Sequence, residues 1–173
     1  GMMVEGDIGY RDDIAYEYNP DQAKELVEKS GYDGTPLKLI YSASTVAIAP
    51  EMSQAIQSMA ASVGINIEVT PLETAIYDEA RMNHEYDLCI ASIGKSGNMW
   101  YKTGAEVVGN DRFNTGHDNE ELKTLGHELA SEMDEEKQDE IFAEMNRIQL
   151  TEFEPNLYLY SPRIQVGSSA KLH

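Results

Sequence analysis

From residue 37 to residue 92 the apolar residues change period segment by segment, and this alternation restricts the fold more than any other feature of the chain. Leu37-Lys38-Leu39-Ile40-Tyr41 reads as a strand, and Ser42-Ala43-Ser44-Thr45 as a small polar loop. A helix is predicted over about residues 50–63, with Met52, Ala55, Ile56, Met59 and Val63 on its apolar face. Gly64 stops it. Ile65-Asn66-Ile67-Glu68-Val69 alternates apolar and polar, as a strand with one exposed face does, and Pro71 breaks it. A second helix is predicted over 73–83 and a third strand over 86–92. Strand, helix, strand, helix, strand is the order of parallel strands joined by right-handed helical crossovers. The fold class is therefore α/β, a mixed and mostly parallel sheet flanked by helices. Ligands of such sheets meet the loops at the carboxyl ends of the strands, which are here residues 42–45, 70–73 and 94–101.

The flanking segments are less regular. Residues 1–17 are irregular and acidic, and Gly1 reads as a tag scar, so 1–17 is taken as a leading segment and 18–173 as a single lobe. Asn19-Pro20-Asp21-Gln22 opens a helix: Asn19 caps, Pro20 suits the first position, and Gln22 completes a capping box. Ala23, Leu26 and Val27 form its apolar face and Gly31 ends it. Residues 94–117 show no periodicity and contain five glycines; a loop of that length is usually functional or mobile. Asp118 is expected to cap a helix with the stripe Leu122, Leu125, Leu129. Asp134 is expected to cap another, with Ile141, Met145 and Ile148 on its face. Strands are predicted at 157–160 and 163–166.

Little in the chain points to catalysis. Asp and Glu outnumber Lys and Arg by 31 to 13, a net charge of -18 that repels phosphate backbones and argues against nucleic-acid binding. No apolar run reaches the roughly eighteen residues of a membrane-spanning helix. The single cysteine, Cys89, lies in an apolar run and reads as an inert core thiol. His84, His117, His127 and His173 make no HxxxH or HExxH pair, so no metal site is expected. Gly94-Lys95-Ser96-Gly97 ends like a Walker A loop but lacks its first glycine, since position 89 is Cys. The aromatic pair Trp100-Tyr101 is the best candidate for stacking on a ligand, with Trp100 partly exposed. No nucleophile elbow is present, and neither an enzyme nor a cofactor is expected.

Three stretches together resemble one family. Tyr18-Asn19-Pro20-Asp21-Gln22-Ala23-Lys24-Glu25-Leu26, running to Ser30-Gly31-Tyr32, is the first. The second is Gln54-Ala55-Ile56-Gln57, then Gly64-Ile65-Asn66-Ile67-Glu68-Val69, Leu72-Glu73 and Tyr86-Asp87-Leu88. The third begins at Asp118-Asn119-Glu120-Glu121-Leu122, passes Asp134-Glu135-Glu136-Lys137, and ends at Tyr158-Leu159-Tyr160-Ser161-Pro162-Arg163. In order and spacing over residues 18–167 they resemble the family 5 (peptide/nickel) extracellular solute-binding proteins of ABC importers, and specifically the C-terminal lobe.

The resemblance implies a type II periplasmic-binding-protein-like lobe with the second half of the cleft missing. It implies capture of an oligopeptide or related small solute, partnership with an N-terminal lobe and with the permease subunits, and an extracytoplasmic or lipid-anchored location without an export signal in this chain. The ligand-binding residues it marks are Gly94, Lys95, Ser96, Gly97, Asn98, Trp100 and Tyr101, with Ser44 and Glu73. There are departures. Ser96 stands where peptide-binding members carry an aspartate for the ligand's amino group, and Thr74 stands where many have tryptophan. Lys95 would favour an anionic ligand. The alternative is a protein-interaction domain that transports nothing and keeps a degenerate site.

Overall fold

The structure, a computed structural model, describes residues 5–15, 17–92, 119–150 and 157–160. It divides into two compact units, Glu17–Ala130 and Gly1–Tyr16 with Ser131–His173.

The larger unit is built on three parallel strands, β1 (Leu37–Tyr41), β2 (Ile67–Pro71) and β3 (Leu88–Cys89), in the order β2-β1-β3. β1 is the centre, pairing Leu37 with Ile67 through Tyr41 with Pro71 on one side, and Leu39 with Leu88 on the other. Alternation along β1 assigns its two faces. Leu39 and Tyr41 join Ala49, Ile67 and Ile90 in one core cluster, against which Met52, Ile56 and Ala60 of helix α2 (Ala49–Ser62) pack. Ile40 points the other way and meets Tyr77 and Ala80 of helix α3 (Thr74–Met82). The α2 crossover runs outward from β1 to β2 and the α3 crossover returns from β2 past β1 to β3, on opposite faces, which makes a doubly wound sheet whose switch point lies between β1 and β3.

At α1 (Pro20–Ser30) the signals at Asn19, Pro20 and Gly31 act as the sequence predicts. The Asn19 side chain accepts from the Gln22 amide at 3.0 Å, Pro20 opens the first turn, and Gly31 takes φ 74. The face of α1 differs from expectation: no residue of it is buried, and Leu26 is 58% exposed. The helix approaches its unit through Val27, whose Cγ1 lies close to Gly64. The face of α2 is also turned. Met59 and Ala55 are exposed, while Ala49 and Ser53 are buried. Small residues let the helix approach the sheet closely, and the Ser53 hydroxyl donates to the Pro50 carbonyl at 2.8 Å, so it enters the interior satisfied.

The strands shift as well. β2 runs through Pro71 instead of ending before it. Proline is tolerated there because among the described residues β2 is an edge strand and Pro71 its last member. The Gln57 side chain donates to the Ile67 carbonyl at 2.7 Å and so covers part of that edge. β3 is two residues long, shorter than the predicted 86–92, although Asp87 N–H bonds the Lys38 carbonyl and Ile90 N–H bonds the Ile40 carbonyl. Helix α4 (Glu120–Ser131) is capped by Asn119, whose Oδ1 accepts from Leu122 N–H at 2.9 Å. The sequence pointed one residue earlier, to Asp118, which lies outside the described residues. Leu122, Gly126 and Leu129 form the buried stripe of α4, with Leu125 half-buried.

The smaller unit centres on helix α5 (Glu135–Ile148), capped by Asp134, which accepts from Glu136 and Lys137 amides. Ile141, Met145 and Ile148 are buried as predicted, joined by Phe142, Ala143 and Asn146. The segment at 5–15 docks on this helix. Gly9 N–H donates to Asp139 Oδ1 at 2.7 Å, and Arg11 pairs with Asp139 Oδ2. Residues 157–160 form no strand of the described sheet. Leu157, Leu159 and Tyr160 are exposed, and alternation by itself does not make a strand. The strand predicted at 163–166 lies outside the described residues.

Candidate functional site

The carboxyl ends of β1 and β3 flank the switch point, and the chain leaves both strands under firm constraint. After β1, Ser42 is 1% exposed and its carbonyl accepts from Thr45 and Val46 amides, folding 42–46 into a tight turn. The Ser42 hydroxyl lies 3.2 Å from the Thr74 hydroxyl in the first turn of α3. After β3, the Ile90 carbonyl accepts from the Tyr77 hydroxyl at 2.7 Å in a buried bond. Leu72 N–H bonds the Tyr41 carbonyl at 2.8 Å and fixes the exit of β2. The three exits thus share one edge of one sheet.

Of the residues the sequence nominated, two lie on this edge. Ser44 is exposed in the turn after β1. Glu73 is exposed at the N-cap of α3, with extended dihedrals, and its side chain makes no capping bond. The carboxylate is thereby left facing solvent. The Ser42–Thr74 bond ties the segments that carry Ser44 and Glu73. Gly94, Lys95, Ser96, Gly97, Asn98, Trp100 and Tyr101 lie outside the described residues, and so does the expected exposure of Trp100.

Sequence reasoning missed Ser42, Thr74 and Tyr77 as a group. The spacing of Tyr77 and Ala80, one helical turn apart, is a signal that could have marked a buried face, but no sequence signal gives Tyr77 a hydroxyl partner thirteen residues on.

Electrostatics beside the edge are those of a dry interior. Burial pushes the Tyr77 hydroxyl up to about 12, helped by the neighbouring Cys89 and opposed by Arg81, whose guanidinium stands 5.6 Å from the ring centroid. Burial raises Tyr86 and the Cys89 thiol in the same way. A thiol held protonated is a poor nucleophile. Among the described residues no three His, Cys, Asp or Glu side chains gather to hold a metal, and no helix is long and apolar enough to cross a membrane. A groove of about 590 Å³ lies elsewhere, between α2 and the edge of β2, lined by Gln54, Gln57, Asn66 and Glu68 among others. It is an open surface depression, and Gln57 already spends a donor on Ile67.

The model of the bacterial extracellular solute-binding proteins, family 5 middle region, matches residues 1–104. The chain belongs to this family. In structure, the family 5 chain is similar to the periplasmic oligopeptide-binding protein OppAIV from Borrelia burgdorferi, with a TM-score of 0.72 and 22% identity. That match covers 83% of this chain and 31% of the other. It is similar to AgaA from A. tumefaciens R10, solved with agropinic acid, at TM-score 0.75 and 20% identity over 89% of this chain and 33% of that one. It is also similar to NikA from Staphylococcus aureus, solved with Ni(L-His)2, at TM-score 0.63 and 21% identity over 77% and 30%. At these identities the likeness establishes the fold, and the family 5 chain spans about a third of the length of each. No curated protein sequence matches it.

Proposed function

We propose that this chain is part of the ligand-binding lobe of a substrate-binding protein, capturing an oligopeptide or related small solute for an ABC importer. The observation that carries the reading is the family 5 match over residues 1–104, which includes the whole doubly wound sheet and its three strand exits. The relatives named above are an oligopeptide-binding protein, a protein solved with agropinic acid and one solved with a nickel–histidine complex. This reading places a small solute of such a kind at the sheet edge of this chain. The binding residues of this reading are Ser44 and Glu73 at the exits of β1 and β2, with Gly94, Lys95, Ser96, Gly97, Asn98, Trp100 and Tyr101 after β3. The remaining partners are a second lobe that closes the cleft and the permease subunits of the importer, at an extracytoplasmic site to which the protein is secreted or lipid-anchored. The chain acts by binding and not by catalysis.

Native mass spectrometry of the full-length protein tests this. A mass excess over the denatured chain that matches a short peptide or a metal chelate is the expected result. Neither a mass excess nor a thermal shift with a pool of short peptides or with nickel–histidine would overturn the reading in favour of an interaction domain with a degenerate site.

A further inference from the structure

Both exits of the switch point are held by the same helix. On the β3 side the ladder ends at Ile90 among the described residues, and Ala91 and Ser92 are exposed. A two-residue strand gives weak control over the direction in which the chain leaves. The Ile90 peptide groups supply it instead: the N–H is bound to the Ile40 carbonyl at 3.0 Å and the C=O to the Tyr77 hydroxyl at 2.7 Å. On the β1 side the Ser42 hydroxyl meets Thr74, three residues before Tyr77 on the same helix. Tyr77 is 0% exposed, and a phenylalanine would fill nearly the same volume without a polar atom to satisfy. Among the described residues the hydroxyl's hydrogen-bond partner is the Ile90 carbonyl.

We infer that Thr74 and Tyr77 are positioning residues, through which α3 fixes the chain leaving β1 and the chain leaving β3 in one spatial relation at the binding edge. Its functional meaning rests on the binding reading above. α3 can serve as the bracket because Ala80 and Tyr77 pack on Ile40, so the helix is anchored to the centre strand beside its exit.

The chain's one tryptophan, Trp100, lies ten residues beyond Ile90 and reports on the segment that follows β3. Steady-state anisotropy and acrylamide quenching of Trp100 are compared in Tyr77→Phe, Thr74→Val and a control, Tyr32→Phe. The control also loses a tyrosine hydroxyl, one that donates to the Thr35 carbonyl and accepts from Asn66 N–H before the amino ends of β1 and β2. The expected result is lower anisotropy and stronger quenching of Trp100 in Tyr77→Phe, a smaller change of the same sign in Thr74→Val, and a wild-type signature in Tyr32→Phe despite its lower urea midpoint. A wild-type signature in Tyr77→Phe, or an equal change in Tyr32→Phe, overturns the inference. No solute enters the measurement, so its failure leaves ligand capture untouched, and an empty binding site leaves the bracket untouched.

Discussion

Gly9 and Asp139 hold two sides of one contact. Gly9 has φ 77, and a Cβ there would overlap Phe142 Cβ and come within 2.9 Å of the Phe142 carbonyl carbon. Gly6 has φ 92 with nothing near it, so the two glycines separate backbone strain from packing. A left-handed conformation costs an L-residue about 1–2 kcal/mol. Gly6→Ala should cost that alone, and Gly9→Ala distinctly more; urea denaturation of the two variants checks the order. Asp139 accepts from Arg11 and from Gly9 N–H, and these bonds, Arg11 first, hold its carboxyl below the usual carboxylate range. A carboxyl depressed in the folded state stabilises it above the unfolded value of about 4 and loses that contribution as pH falls through the folded value. The stability gap between wild type and Asp139→Asn should therefore be full near neutral pH and shrink on acidification. A gap that stays constant with pH would assign the acid sensitivity to other groups, such as Asp33 bound by Thr35 or Glu132 bound by the Asp134 and Met133 amides. None of the Gly9–Arg11–Asp139 contact was legible in the sequence, because its members are about 130 residues apart and no local pattern links them.

Among the elements, α2 shows how far periodicity reaches. The sequence places a helix within one residue of where it lies but turns its face towards Met59, which is 56% exposed, and away from Ala49 and Ser53. Apolar spacing weighs residues by hydrophobicity. Close approach to a sheet selects instead for small side chains, and Ala49 and Ser53 meet that need. Met59→Gln should change stability by no more than about 0.5 kcal/mol. Ser53→Leu should cost about 1–3 kcal/mol by overpacking the helix–sheet contact. Thermal or urea unfolding of the pair checks both, and equal costs would return the buried face to Met59. Helix ends were read more reliably at Asn19, Gly31 and Asp134: the two caps bond amides within three residues and Gly31 takes a left-handed conformation, so their signal is complete in the local sequence.

For the molecule as a whole, Ile40 is the hinge of the doubly wound arrangement. It is 0% exposed, sits in the centre strand, and is the contact of that strand with α3, while Leu39 and Tyr41 serve α2. Ile40→Ala should cost about 2–5 kcal/mol, as a buried large-to-small change does. Because it loosens the helix that carries Thr74 and Tyr77, it should also move Trp100 fluorescence in the native baseline, before global unfolding. Loss of stability with an unchanged native Trp100 signal would confine Ile40 to a packing role. The sequence by itself determined the α/β class, the parallel direction of the strands, and the helix caps at Asn19 and Asp134. Those follow from periodicity and capping, which are short-range. Only the tertiary structure decided which faces of α1 and α2 are buried, that Pro71 ends β2 from within, that residues 5–15 dock on α5, and that one helix holds the exits of two strands. Each of these depends on a partner far away in sequence, and a side chain's neighbours across a fold are set by packing and by hydrogen-bond satisfaction, which no local pattern records.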